Sequence, residues 1–305
     1  MAPPDTPSNA RRLIDDAAVR GIVRRLAAHP QPPWLHGEVA RRMAERLPVI
    51  LKQPRTVIQW SGFLGASDAV LLAAYPQARR VVVESDPALR ERSAAAHRAP
   101  WWSPRRWTAA PLVVSPDEVQ PAAGELVWAN MLLQAAADPP ALMAQWQRAL
   151  AVDGFLMFSS LGPGTLPQLR ALYQAQGWGA PMAALIDMHD LGDMLVHAGF
   201  ADPVMDQETV TLTWASAEAA LAELRMLGGN GHPGRHAGLR TPRWRAQLLQ
   251  ALQAQADAQG RIALSFELVY GHAFRPAPKA RVQAQTEVSL DAMREMVRSG
   301  RRGTP

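Results

Sequence analysis

The chain has 305 residues, 48% of them hydrophobic, and a formal net charge of +5. That length suits one large α/β domain, or one domain with an extension, at about 100–200 residues per domain. With no cysteine in the chain, disulfides, thiolate metal sites and cysteine nucleophiles are all excluded.

The positive charge is almost entirely arginine, since only Lys52 and Lys279 are lysines. Its paired arginines are spread along the chain rather than blocked, as solvated helix faces would be. The same spread makes a diffuse positive field that favours an acidic partner. No nucleic-acid-binding motif accompanies it. No stretch approaches the ~20 apolar residues of a membrane span, and the N-terminus has no signal-peptide core. The expectation is a cytoplasmic monomer with neither a membrane nor a nucleic-acid partner.

Residues 1–9 hold three prolines and are expected to be a disordered tail. Asn9 to Ala28 has one apolar face and reads as a helix, ended by the prolines at 30, 32 and 33. A second helix is expected from Trp34 to Leu51, with Val39, Met43, Leu47 and Leu51 at spacing four. Residues 10–53 would then be a helical cap. From Thr56 strands alternate with helices: TVIQW, then ASDAVLLAAY; RVVVE, then PALRERSAAA behind Pro87; PLVV; ELVWANM; the amphipathic ALMAQWQRALAV; and FLMFSS. That alternation argues for a parallel, doubly wound sheet with ligands at the strand C-termini. Further on come helices over 167–174 and 189–200, a long strand over 203–214, helices over 216–228 and 242–259, and a last strand over 261–274. The final helix-and-long-strand pair suggests an antiparallel strand inserted beside a parallel one. SLDAMREMVRS, in a tail over 276–305, fits a short terminal helix.

Thr56 to Asp86 reads as half of a nucleotide-binding βαβ unit. A strand opens into a turn with Gly62 and Gly65, and Glu84 follows about 20 residues on, where an acid reaches a ribose hydroxyl. On these residues alone a nicotinamide cofactor is as acceptable as any other nucleotide. Trp101, Trp102 and Trp107, interleaved with Arg105 and Arg106, read either as a loop packed on the sheet or as a partner surface. His232 and His236 lie in a Pro/Gly loop without the spacing or extra ligands of a zinc site, so no metal is expected.

The segments WANMLLQ, GFLMFSSLGPGTLPQLR, DMHDLGDMLVHAGFADPVMD, LRMLGGNGHPGR and SFELVYGHAF, in that order, resemble the malonyl-acyl-carrier-protein O-methyltransferases of biotin synthesis. PWLHGEVARRMAERL is similar to that family's N-terminal helix. The resemblance covers most of residues 34–275. It implies a seven-stranded Rossmann-like methyltransferase sheet with helices on both faces, an N-terminal helical arm and a C-terminal antiparallel strand. In that scheme 54–215 form the Rossmann-like core, 216–260 a helical substrate insertion and 261–275 the last strand.

The implied cofactor is S-adenosyl-L-methionine, and the implied partner is acyl carrier protein carrying a malonyl group whose free carboxyl is methylated. A carboxylate already ionised near neutral pH needs no general base, so no catalytic acid or base is expected and alignment supplies the rate. Gln59, Ser61, Gly62, Gly65, Glu84, Asp86, Asn130 and Met131 match positions that bind the cofactor. Arg235 is the leading candidate for the malonyl carboxylate, through the planar fork of its donors, followed by Arg225 and His232. The turn departs from the family pattern: Gln59 replaces an acid, Trp60, Phe63 and Leu64 replace small residues, and His29 stands for an aromatic of the arm. The alternative is a methyltransferase fold that has lost its cofactor and acts as a binding or regulatory protein. Its signature would be Trp60 and Phe63 filling the adenosine pocket.

Overall fold

A computed structural model of the protein describes residues 14–97 and 110–278. The terminal tails, the SLDAMREMVRS segment and the Trp101–Trp107 cluster lie outside the described residues. In chain order the elements are α1 (Asp16–Ala27), α2 (Trp34–Ala44), β1 (Thr56–Trp60), α3 (Gly62–Gly65), α4 (Asp68–Ala74), β2 (Arg79–Val83), α5 (Pro87–Ala96), β3 (Leu112–Val114) and β4 (Gly124–Ala129). Then follow α6 (Pro139–Ala149), β5 (Leu150–Leu161), α7 (Pro167–Ala175), α8 (Met188–His197), β6 (Ala201–Trp214), α9 (Ala217–Met226), α10 (Pro242–Gln253) and β7 (Ile262–Phe274).

The strands form one seven-stranded sheet in the order β3-β2-β1-β4-β5-β7-β6. β7 runs antiparallel to both its neighbours, β5 and β6, while β1 to β5 pair in parallel. The inserted antiparallel strand is therefore where the sequence pattern put it. Strand order reverses between β1 and β4, and open α/β sheets bind ligands at such a switch point, outside the strand C-termini.

Each face of the sheet carries its own core, because successive strand side chains point to opposite faces. Val57, Leu126 and Trp128 join α2, α7 and α10 on one face. Ile58, Trp60, Val127 and Ala129 join α6 and α8 on the other. On the first face Leu35, Val39 and Met43 of α2 are fully buried. At roughly 1.5–3 kcal/mol for each such side chain, α2 is part of the core. In α1 only Leu26 and Ala27 are buried, so α1 is the looser half of the arm.

Several boundaries differ from the sequence expectation. The second helix ends at Ala44 rather than Leu51, and Leu47–Val49 form a separate 3-10 turn. Pro48 sits inside that turn and cannot donate the bond a continuing helix needs. β5 begins at Leu150, inside the expected helix tail, with Asp153 left-handed at φ 61° where its register shifts. The glycine turn is itself a single helical turn, α3, with left-handed residues on both sides.

Candidate active site

The C-terminal ends of β1 and β4 carry the backbone departures that shape the site. Ser61 (φ 62°) and Ala66 (φ 49°) bracket α3, and Met131 (φ 53°) turns the chain just after β4. Non-glycine residues in this region cost on the order of 1–3 kcal/mol each and cluster where geometry serves function. Gly62 is required by packing, since an added Cβ would sit 2.4 Å from Val82 Cγ1. Glu84, 1% exposed at the end of β2, turns inward. Its Oε1 accepts the Phe63 N–H (2.9 Å) and the Ser93 hydroxyl (2.8 Å), tying the acid to the start of α3. Burial pushes the Glu84 carboxyl up, opposed by those bonds and by the Gly62 N–H.

Asn130 joins the pieces. Its Nδ2 donates to the His36 and Gly65 carbonyls at 2.7 Å each, and its Oδ1 accepts the Ser159 hydroxyl at 2.6 Å. The Ser159 oxygen in turn accepts the Met131 N–H at 3.0 Å. One buried amide thus fixes α2, the glycine turn and the end of β4 together. His36 lies beside it, with Nδ1 donating to the Leu64 carbonyl at 2.7 Å. Burial holds the His36 imidazole down at about 4, against a smaller upward effect of that carbonyl. His36 is therefore neutral at physiological pH.

Two adjoining cavities open over these strand ends. The smaller, about 170 Å³, is lined by Ser61, Leu64, Met131 and Gln134 from the sheet edge and by Ile22 and Val23 of α1. The larger, about 300 Å³, runs between α7, α9 and α10 over an apolar wall that includes Leu166, Tyr173 and Phe266. His36, Met131 and Gln134 line both, so they stand at the junction. Arg25 and Arg225 line the larger one.

Of the binding candidates named from the sequence, Ser61, Met131 and Arg225 line a cavity, as does Leu64 of the turn; Gln59, Gly62, Gly65, Glu84, Asp86, Asn130, His232 and Arg235 line neither. Gln59 is fully buried beneath the turn, its Nε2 3.3 Å from the Gly62 carbonyl and its Oε1 without a partner. Asp86 caps α5 through Ala88 N–H and Leu89 N–H. Arg235 donates to Asp15 Oδ2 at 2.5 Å and to the His232 carbonyl at 3.3 Å. His232 Nδ1 accepts the Gly234 N–H. Among the described residues no group of three or more His, Cys, Asp or Glu could hold a metal, and no helix is long and apolar enough to cross a membrane.

No family model matches the chain. Individual relatives do. The chain is 36% identical over 273 residues to the malonyl-acyl-carrier-protein O-methyltransferase of Laribacter hongkongensis, covering 88% of this chain and 92% of that protein. The Gallionella capsiferriformans protein of the same name is 36% identical over 273 residues, covering 88% and 93%. That of Halorhodospira halophila is 35% identical over 278 residues, covering 90% and 91%. The chain belongs to the malonyl-acyl-carrier-protein O-methyltransferase family.

Solved structures agree on the fold. A proposed methyltransferase from Bacillus halodurans matches with a TM-score of 0.52 at 12% identity, over 78% of this chain and 100% of that one. The YcgJ protein of Bacillus subtilis matches with a TM-score of 0.52 at 8% identity, over 79% and 99%.

Of the three bulky residues of the turn, Leu64 lines the smaller cavity, while Trp60 and Phe63 find places outside both. Trp60 points to the opposite face of the sheet and meets Trp146 edge-on at 6.4 Å. Phe63 lies under the Arg92 guanidinium, 3.9 Å from its ring centre. Neither lines either cavity. The residues present fit a cofactor at the switch point, because the strand ends turn away to leave a cavity there; the unpartnered Oε1 of Gln59 is buried under the turn, outside both cavities. His36, Gln134 and Arg25 were not legible as site residues in the sequence. His36 and Arg25 look like ordinary helix residues until α1 and α2 are laid over the sheet.

Proposed function

We propose that the protein transfers the methyl group of S-adenosyl-L-methionine to the free carboxyl of a malonyl thioester carried on acyl carrier protein, in the synthesis of biotin. The observation that carries this reading is identity of 36% spread over 88% of the chain, with a cavity at the switch point of the sheet. When bound, the cofactor supplies an electrophilic methyl group on a sulfonium, which an ionised carboxylate takes without a proton transfer.

The chain's own contribution is then to hold and align. Ser61, Gly62, Gly65 and Met131 would carry the cofactor at the strand ends, above Gln59. Glu84, with Asp86 two residues on, would serve as the ribose acid; it lines neither cavity, so its carboxylate would have to exchange the Phe63 N–H for ribose hydroxyls. Asn130 fixes the turn from behind through its bonds to Gly65 and His36. Leu64 and the aliphatic face of α1 keep water from the methyl group. The neutral His36 adds no cation beside a sulfonium. The larger cavity would take the acceptor, with the 225–235 segment, which includes Arg225, His232 and Arg235, above it. Aligning carboxylate and methyl group in such a pocket is a proximity effect. A cysteine-free chain acting on a carrier protein is expected to work in the cytoplasm, as a monomer.

Expression of the chain in a biotin auxotroph that lacks its own malonyl methyltransferase tests the reading. Growth without biotin supports it. Failure to grow, with the protein present in the soluble extract and a known family member rescuing the same strain, contradicts it.

A further inference from the structure

We infer that Arg25 of α1 and Arg225 of α9 together seat the free carboxylate of the acceptor, an inference that rests on the malonyl reading above. Both residues line the larger cavity. Among the described residues neither is paired with a carboxylate: the ion pairs of this side of the molecule engage Arg41, Arg42, Arg46 and Arg235 instead. Arg235 is held by Asp15 and the His232 carbonyl and does not line that cavity.

Two cations brought together without a counter-ion repel one another, and an anion between them removes the repulsion. The repulsion is felt within the protein: the Arg25 guanidinium is held below its ordinary value, first by burial and then by the charge of Arg225. Both arginines are solvent-exposed while the wall beside them is apolar, with Leu35, Leu161, Leu166 and Phe266, so they can meet the charged end of an acceptor whose body lies on apolar surface, through contacts that solvent partly screens. The planar fork of Arg225 matches a carboxylate through two parallel bonds, and Arg25, whose Nη2 is taken by backbone carbonyls, has its Nη1 hydrogens left to add a single charge-assisted bond. Asn230, another polar residue on this wall, already bonds the Ala180 carbonyl and the His232 N–H.

Arg25 brings a second consequence. Its Nη2 donates to the Arg225 carbonyl at 3.3 Å and to the Gly228 carbonyl, so the same side chain latches α1 to the end of α9. Alongside it the Asp15 N–H reaches the Gly231 carbonyl at 2.9 Å, and Gly229 lets Ile22 approach closely. The seat therefore needs α1 and α9 in the positions these bonds hold, in which α1 also covers the smaller cavity.

A phosphate on the carrier's pantetheine arm offers the same oxyanion chemistry, so the test separates the two sources. The full chain is titrated calorimetrically with malonyl-pantetheine and acetyl-pantetheine, each with and without the 4′-phosphate. The wild-type protein is expected to prefer malonyl over acetyl by about threefold to tenfold, the range for two solvent-exposed charge contacts. Arg225→Met and Arg25→Met should each bring that preference close to unity while acetyl binding stays. Arg25→Lys should keep part of it. Arg225→Met leaves the backbone carbonyl that Arg25 grips, so it decides the matter if Arg25→Met fails to fold. A preference that follows the phosphate and ignores the malonyl group overturns the inference, as does a malonyl preference untouched in Arg225→Met. Binding of S-adenosylhomocysteine is measured alongside. Its absence with the malonyl preference intact contradicts the methyl-transfer reading and leaves the carboxylate seat standing.

Discussion

Replacing Asn130 by alanine should destabilise the protein by about 3 kcal/mol and loosen the site at the same time. The side chain is 1% exposed and makes three short bonds, to the His36 carbonyl, the Gly65 carbonyl and the Ser159 hydroxyl. At about 1 kcal/mol net for each bond the loss is about 3 kcal/mol, and the small void left behind adds to it. Ser159 keeps the Met131 N–H as a donor but loses its own acceptor. Urea denaturation at neutral pH should show a lower midpoint with an unchanged slope. Because Asn130 is the amide that spans α2 and the turn, affinity for S-adenosylhomocysteine should fall in the same variant. Asn130→Asp sharpens the test. It keeps the size but sets a carboxylate against two carbonyl oxygens, so its pKa in the folded protein is raised and the folded state holds the proton longer than the unfolded one. Stability then falls as pH rises above about 3.9, and the gap to wild type widens toward neutral pH. A loss below about 1 kcal/mol in Asn130→Ala, or a pH-independent gap in Asn130→Asp, would refute the view of Asn130 as a tie.

Gly62→Ala should cost about 1–3 kcal/mol by overpacking, since the new methyl lands on the buried Val82; thermal denaturation of the variant checks this. His36, held at about 4 by burial, is neutral in the folded protein where the unfolded chain takes a proton near 6.5. Its folded pKa is depressed, so stability is full above pH 6.5 and is lost as pH falls toward 4, by about 3 kcal/mol at most. Chemical denaturation of His36→Gln at pH 7 and pH 4.5 should lack that component of the fall. Arg92 stacks on Phe63 and donates to the carbonyls of Ala27 and Pro30, holding the join between α1 and α2 to the turn. Arg92→Met should speed hydrogen exchange in residues 16–33 while leaving β4 and β5 protected, as local opening of a weakly buried element does.

The sheet was legible because its strands carry unbroken apolar runs and sit at the right spacing. VVVE and ELVWANM announce buried parallel strands, and the late strand RIALSFELVYGHAF, the last in the described chain, reads as the inserted antiparallel one. The ordered C-terminal segments, WANMLLQ onward, gave the family. The site was legible only in part. Ser61 and Met131 fall at strand ends that pattern alone can locate. The inward turn of Glu84 depends on where α3 presents the Phe63 N–H, and no spacing rule encodes that. Trp60 seemed to threaten the pocket because the sequence does not say which face of β1 it takes, although alternation from Ile58 places it with the α6 core. Arg25 and Arg225 meet only after α1 folds back across residues 200 positions away. Pro48, by contrast, is a local signal, and a stricter reading of it would have ended the second helix earlier.

Methyl transfer by this family member is proposed to take place at the ends of β1 and β4. Incubation of the purified chain with malonyl-acyl carrier protein and S-adenosylmethionine, followed by intact-mass spectrometry of the carrier, measures it directly. The expected result is a carrier heavier by one methylene, an equal amount of S-adenosylhomocysteine, and no change on acetyl-acyl carrier protein, which lacks the free carboxyl. An unmodified malonyl carrier at saturating cofactor, under conditions in which a known family member completes the reaction, would contradict it.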